Sequence, residues 1–181
     1  IEQHYWPRFA GDALPKNEVA TVLALADKLE TLAGMFGIGQ QPTGDRDPFA
    51  LRRHALGVVR ILVENGLVVS LHDLVNAAFE IFPHGMLADA HSDLTLFIHE
   101  RLRGYLREDG YTANEVESVL WTPPVRLDQV PHRLAAVRAF AALPEAGSLA
   151  AANKRVANIL KQAEAKGESF ARAEAGKLQE P

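Results

Sequence analysis

Apolar side chains recur at three- and four-residue intervals along most of this chain, and no stretch alternates in the two-residue rhythm of a half-buried strand. That periodicity gives each of a series of helices one apolar stripe, and stripes of this kind are buried by packing helix on helix. The fold class expected is therefore all-α, a bundle of about seven helices joined by short turns. Val19, Val22, Leu23, Ala26, Leu29 and Ala33 form the first stripe, after Asn17 as N-cap. The second helix is expected to start at Asp47-Pro48, a cap followed by a first-turn proline, and to stop at Asn65-Gly66. Leu71, Leu74, Val75, Ala78, Phe79 and Phe82 mark a third, closed by Pro83 and Gly85. Leu94, Phe97, Ile98, Leu102 and Tyr105 mark a fourth that ends at Gly110. Thr112 and Glu115 form a T-x-x-E capping box for a short fifth helix, ended by Pro123-Pro124. Asp128 is the expected cap of a sixth, through Val130, Leu134, Val137 and Phe140. Ser148 is the expected cap of a seventh, whose Leu149, Ala152, Val156, Ile159 and Ala163 should face inward. Beyond Ala163 the composition turns to Ala, Glu and Lys around one Phe170, the pattern of a linker or frayed helix.

Composition narrows the function classes. Hydrophobic residues make up 48% and charged residues 23% of the 181, values that exclude wholesale disorder. The cysteine count is 0, which excludes disulfides, thiolate metal sites and a cysteine nucleophile. No run approaches the roughly 20 apolar residues of a membrane helix. The best, Leu56 to Val63, is interrupted by Arg60, so no membrane partner is expected and the cytoplasm fits. The chain opens Ile-Glu-Gln-His, with neither Met nor a signal-peptide pattern, and is expected to be part of something longer.

A net charge of −4 argues against a nucleic-acid binder, but the charge is uneven. Residues 61–100 hold six acids and no Lys or Arg, a local charge of −6. Residues 101–161 hold nine Lys or Arg against six acids, a local charge of +3. Lys154, Asn158 and Lys161 stand at i, i+4 and i+7, with Arg155 and Gln162 alongside, a donor-rich stripe opposite the apolar one. Arg103 and Arg107 lie one turn apart on the fourth helix, near Arg101. Cations at that spacing can follow phosphate oxygens along an RNA backbone, or simply form a solvated face.

Other candidate chemistry is weaker. The segment Gly37-Ile38-Gly39-Gln40-Gln41-Pro42-Thr43-Gly44-Asp45 follows a helix rather than a strand, and Asp45 stands where a phosphate-binding loop has Lys. It reads as a helix-to-helix connector. His72-Asp73 sits at a helix start, where Asp suits the macrodipole, and His84, Asp89, His91 and Asp93 lie around a turn, without metal-ligand spacing. No catalytic residue and no metal ligand is assigned.

Five blocks, in order, resemble the β subunit of bacterial-type glycyl-tRNA synthetase. They are His4-Tyr5-Trp6-Pro7-Arg8-Phe9-Ala10-Gly11-Asp12 with Leu14-Pro15, and Ala26-Asp27-Lys28-Leu29-Glu30-Thr31-Leu32 running into Phe36-Gly37-Ile38-Gly39. The most specific is Pro42-Thr43-Gly44-Asp45-Arg46-Asp47-Pro48-Phe49-Ala50-Leu51-Arg52-Arg53. Glu108-Asp109-Gly110-Tyr111-Thr112 and Ala151-Ala152-Asn153-Lys154-Arg155-Val156-Ala157-Asn158-Ile159-Leu160 complete the resemblance over roughly residues 1–161, with 67–93 and the tail only loosely similar.

That resemblance implies an α2β2 enzyme that joins glycine to its tRNA using ATP with magnesium, the active site lying in the α subunit and the β subunit binding tRNA. It implies a helical body over 1–88 that ends an HD-like region, a DALR-like anticodon-binding domain over 89–163 of the kind shared with arginyl- and cysteinyl-tRNA synthetases, and a tail or linker over 164–181. On this reading the chain itself is non-catalytic, holds no cofactor, and has glycine tRNA and the α subunit as partners, with no DNA. Arg101, Arg103, Arg107, Lys154, Arg155, Asn158 and Lys161 are the expected tRNA-binding residues, with Tyr105 either reaching an unstacked base or packing in the core. Asp27 would correspond to the last Asp of an HD metal site whose His and His-Asp elements are not in this chain, so it is assigned a structural role, as a local cap or in an ion pair. Arg52 and Arg53 are assigned to the structural motif, pinning the glycine-rich loop through ion pairs with Asp45 or Asp47. Two other readings stay open: an HD-type phosphohydrolase-like domain with divalent metal at Asp27 or His72-Asp73, and a subunit-assembly scaffold without RNA contact.

Overall fold

A computed structural model describes residues 2–167. Within them lie seven α-helices: α1 (Glu18–Gly37), α2 (Leu51–Glu64), α3 (Leu71–Glu80), α4 (His91–Glu108), α5 (Ala113–Leu120), α6 (Val130–Ala141) and α7 (Ala146–Ala165). Two 3-10 turns, Glu2–Tyr5 and Leu127–Gln129, precede α1 and α6. The all-α reading is thus correct. The described residues contain no strand, only an isolated bridge between Thr43 and Arg46 inside the glycine-rich connector.

Two compact units divide the chain, Ile1–Arg138 and Ala139–Pro181. In the first, α1 packs on α2 and α3, α4 closes over α2 and α3, and α5 lies on α4. Leu94, Ile98, Leu102 and Leu106 project from successive turns of α4 and are buried with Leu32, Leu51, Ile61, Leu62 and Leu71 in one core. The 88/89 boundary expected from the sequence falls inside this unit. Gly57 of α2 leaves room for the Lys28 side chain of α1, since a Cβ there would lie 2.7 Å from Lys28 Cε. The Lys28 stem fills that space, so the residue is 3% exposed, and burial pushes its pKa below the ordinary lysine value.

Helix ends follow local chemistry, with three departures from expectation. Asn17 caps α1 by accepting from Ala20 N at 2.9 Å, and the Thr112/Glu115 capping box closes in both directions. Helix α2 starts not at Pro48 but at Leu51, after Ala50 in the left-handed region at φ 54°. Asp47 still serves the helix from outside: its carboxylate accepts from Leu51 N at 2.8 Å and Arg52 N at 3.0 Å across the intervening turn. Asp128 does not cap α6. It lies in the preceding 3-10 turn, and Arg126 claims its carboxylate at 2.6 and 3.0 Å. Helix α7 begins at Ala146, so Ser148 falls inside it and donates back to the Glu145 carbonyl at 2.8 Å.

The second unit corrects a larger expectation. Leu149, Val156 and Ile159 do not face inward; each is more than half exposed, and only Ala146 and Ala163 of α7 are buried. An apolar stripe is buried only where another layer covers it. The described part of this unit holds, besides α7, only the last turn of α6 and a short connector. Residues 168–181, most of the expected tail, lie outside the described residues.

Candidate functional site

The predicted cations separate into three environments. Arg103 is fully engaged: it pairs with Glu100 and, through Nε at 2.8 Å, with Glu117, whose hydrogen bonds raise its pKa above the ordinary guanidinium value. Arg107, on the same face of α4, donates to the Tyr111 carbonyl at 3.1 Å. Both therefore brace α4 against the α5 segment. Arg101, two residues from Arg103 and so on a different face, turns toward α2. Its guanidinium carbon lies 5.7 Å from the Phe97 ring centroid, and its Nε is buried with no hydrogen-bond partner.

Arg101 shares a cleft of about 270 Å³ with Arg52 and Arg53 of α2, Gly104 and Tyr105 of α4, and Phe9. Arg52 pins the connector through the Gly44 carbonyl rather than through Asp45 or Asp47, and Arg53 makes no ion pair among the described residues. Three arginines thus line one opening, together with Glu108, a grouping that the packing of α2 on α4 creates. Sequence reasoning placed these arginines in separate groups and did not include Phe9 or Gly104. Neither had a signal, because neither is charged and the cleft belongs to no single helix.

Arg60 holds the loop that contributes Phe9 to the cleft. It sits at 8% exposure on α2, with Nη1 donating to the Asp12 carbonyl at 2.9 Å and to that of Phe9 at 3.5 Å. Its Nε reaches Glu64 at 2.6 Å. Asp12 in turn accepts from Arg8 N and Nε at 2.8 and 2.9 Å, and these bonds hold its carboxyl well below the usual carboxylate range. The Phe9–Asp12 loop is thereby tied to α2. Tyr105 donates its hydroxyl to Glu64 at 3.3 Å, and burial, reinforced by the Glu64 charge, pushes its pKa up to about 12. It packs partly against the core while lining the cleft.

Asp27 lies inside α1, where it neither caps a helix nor forms an ion pair among the described residues. It lines a pocket of about 240 Å³ with Arg8, Lys28, Arg53 and His54. Burial, then the Lys28 ammonium, lowers the His54 pKa. Among the described residues no three His, Asp or Glu side chains are grouped to hold a metal ion. Lys154, Arg155, Asn158 and Lys161 all lie exposed on α7, in the second unit. No hydrogen bond or ion pair engages their side chains among the described residues, in contrast to Arg103 and Arg107.

The family model for the glycyl-tRNA synthetase beta subunit matches residues 1–121, the part that holds the connector, the cleft and the α4–α5 corner. The chain belongs to the glycyl-tRNA synthetase β-subunit family. It is 63% identical over 180 residues to the glycine–tRNA ligase beta subunit of Thiobacillus denitrificans, covering 99% of this chain and 25% of that protein. The beta subunit of Leptothrix cholodnii is 62% identical over 181 residues, with 100% and 25% covered, and that of Polaromonas naphthalenivorans 64% over 162 residues, with 90% and 23% covered. The chain thus spans about a quarter of the length of these relatives. Among the described residues no single helix is long and apolar enough to cross a membrane.

Proposed function

We propose that this chain is the tRNA-contacting portion of a glycyl-tRNA synthetase β subunit, supporting ATP-dependent attachment of glycine in an α2β2 enzyme while performing no catalysis itself. ATP and magnesium are then used by the α subunit, in the cytoplasm. The observation that carries the reading is the donor stripe of Lys154, Arg155, Asn158 and Lys161, exposed and without protein partners among the described residues in a member of this family. Unpaired cations one turn apart on an exposed helix face match the spacing of a nucleic-acid backbone, and Asn158 among them offers both a donor and an acceptor to a base edge. Arg101, on α4 in the first unit, is a separate candidate cation, whereas Arg103 and Arg107 act mainly by holding α4 and α5 in place.

The test is binding of glycine tRNA by fluorescence anisotropy at two salt concentrations. Lys154→Ala and Arg155→Ala should each weaken binding, and the dependence of log Kd on log salt should flatten by about 0.7–0.9 for each phosphate left without its cation. Unchanged affinity and slope in both variants would refute the assignment of α7. The scaffold reading has one observation in its favour, the exposed Leu149, Val156 and Ile159 on the opposite face of α7. It predicts that Val156→Ser and Ile159→Ser abolish association with the α subunit while tRNA affinity stays at zero in every variant. The metal-dependent hydrolase reading is disfavoured electrostatically, since Arg8, Lys28 and Arg53 around Asp27 repel a divalent cation.

A further inference from the structure

The cleft between α2 and α4 does not end at its arginines. A second depression, of about 400 Å³, shares Ala10, Leu56, Tyr105 and Glu108 with it and continues to Glu64 and Asp109. The two together form a groove with opposite chemistry at its ends. At one end stand Arg52, Arg53 and Arg101, the last with a buried, unpartnered Nε. At the other, Glu64 is saturated by Arg60 and the Tyr105 hydroxyl, but Asp109 is exposed and makes no ion pair among the described residues; Glu108, equally exposed and unpaired among them, borders both depressions. The shared middle is floored by Leu56 and Tyr105, with Phe9 more than half exposed on the rim. Gly104 leaves the floor open, because a Cβ built there meets nothing within 4 Å.

A nucleotide has matching asymmetry: an anionic phosphate, a flat ring, and a base edge carrying N–H donors. We infer that this groove takes one unstacked nucleotide of single-stranded RNA, its phosphate toward Arg53 and Arg101 and a donor-bearing base edge toward Glu108 and Asp109. A carboxylate accepts readily from the amino group of cytosine, and from the adjacent N–H groups of guanine. Uracil presents a single N–H between two carbonyl oxygens, which carboxylates repel, so guanine and cytosine are favoured over uracil. Packing of the ring on Leu56, Tyr105 and Phe9 supplies the sequence-tolerant part of the affinity. The inference rests on the reading of the chain as an RNA-contacting portion of the β subunit, and deepens it by naming a nucleotide site in the first unit.

Gly104→Leu tests it without changing charge: the new side chain enters the open floor, and Leu is a better helix former than Gly, so the melting temperature should not fall. The 15N-labelled chain is titrated with 5′-GMP, 5′-CMP and 5′-UMP, following the amides of Ala10, Leu56 and Gly104. Expected are saturable shifts at these positions, with Kd at least threefold lower for GMP and CMP than for UMP. Gly104→Leu should abolish the shifts, and Glu108→Gln should remove the base preference while leaving the fold intact by far-UV circular dichroism. Absent shifts, equal affinity for the three nucleotides, or binding that survives Gly104→Leu would overturn the inference. Glycine tRNA should perturb the same amides, and tRNA that binds without moving them would also overturn it. The two readings fail separately, because mononucleotide binding does not involve α7 and the salt slope of the α7 variants does not involve the groove.

Discussion

Replacing Arg60 tests how the groove wall is held. The guanidinium spans two structures, the Phe9–Asp12 loop through two carbonyls and Glu64 on its own helix, and it does so at 8% exposure. Arg60→Met keeps most of the aliphatic stem and removes the polar head. The Asp12 carbonyl is then deprived of a charge-assisted bond of 2.9 Å, which costs about 1.5–2 kcal/mol in a buried setting. Glu64 is one-third exposed and can turn to water, so its share is about 0.5 kcal/mol. The sum, about 2 kcal/mol, corresponds to a shift of roughly 1 M in the urea midpoint for a slope of about 2 kcal/mol per M. Arg60→Ala also removes the stem and should cost about 1 kcal/mol more. Urea denaturation followed by circular dichroism measures both, and hydrogen exchange at the Asp12 and Ala13 amides should accelerate more than exchange in α4. A midpoint within about 0.2 M of the parent for Arg60→Met, or equal acceleration in loop and core, would refute the claim that this side chain ties the loop to α2.

Other consequences are equally direct. Thr112→Ala removes the hydroxyl that accepts from Glu115 N at 3.3 Å and should destabilise the chain by about 1 kcal/mol in the same assay. Burial lowers the pKa of His54 and His99 below the ordinary 6.5, so both favour folding while neutral. Stability from these two is complete above pH about 6.5 and is lost as pH falls through their lower folded values; calorimetry should show the melting temperature dropping from pH 7 to 5, and a double His54→Gln, His99→Gln variant should flatten that limb. Hydrogen bonds from Arg138, then from Thr112, hold Glu115 at about 2, so its contribution disappears only as pH falls from about 4.5 toward 2, a separate limb that Glu115→Gln should remove. Ile159→Ser, on the exposed face of α7, should leave the urea midpoint of the chain unchanged within about 0.2 M, whereas buried Leu102→Ala should cost about 2–5 kcal/mol.

What could be read from sequence was what is local. The capping residues Asn17 and Thr112 act within four residues, and the helices they start are where the pattern put them. Asp47 shows the limit of that logic: the correct residue supplies the cap, but across a left-handed Ala50 that no propensity anticipates, so the helix starts later. Asp128 shows another, since a capping residue with an arginine two positions away has a stronger partner than a helix N–H. The inward assignment of Leu149, Val156 and Ile159 failed for a different reason. Amphipathicity says which face of a helix is apolar, not whether anything covers it.

Charge behaves the same way, and that bears on the proposed RNA contact. Regional counts in the sequence pointed to residues 101–161, yet within that region Arg103, Arg126 and Arg138 each close an ion pair with a neighbouring carboxylate. A guanidinium already bonded to carboxylate must break that bond before it can take a phosphate, so it contributes less to binding than an unpaired one. Among the cations that hold no carboxylate within the described residues are Arg101, on a different face from Arg103, Arg53 on a different helix 48 positions earlier, and the α7 stripe. Affinity for RNA should therefore fall more on Arg53→Ala, outside the basic region, than on Arg103→Ala, inside it, when the two variants are compared at one salt concentration. The reverse order would mean that local charge density, rather than freedom from protein partners, selects the residues that meet RNA.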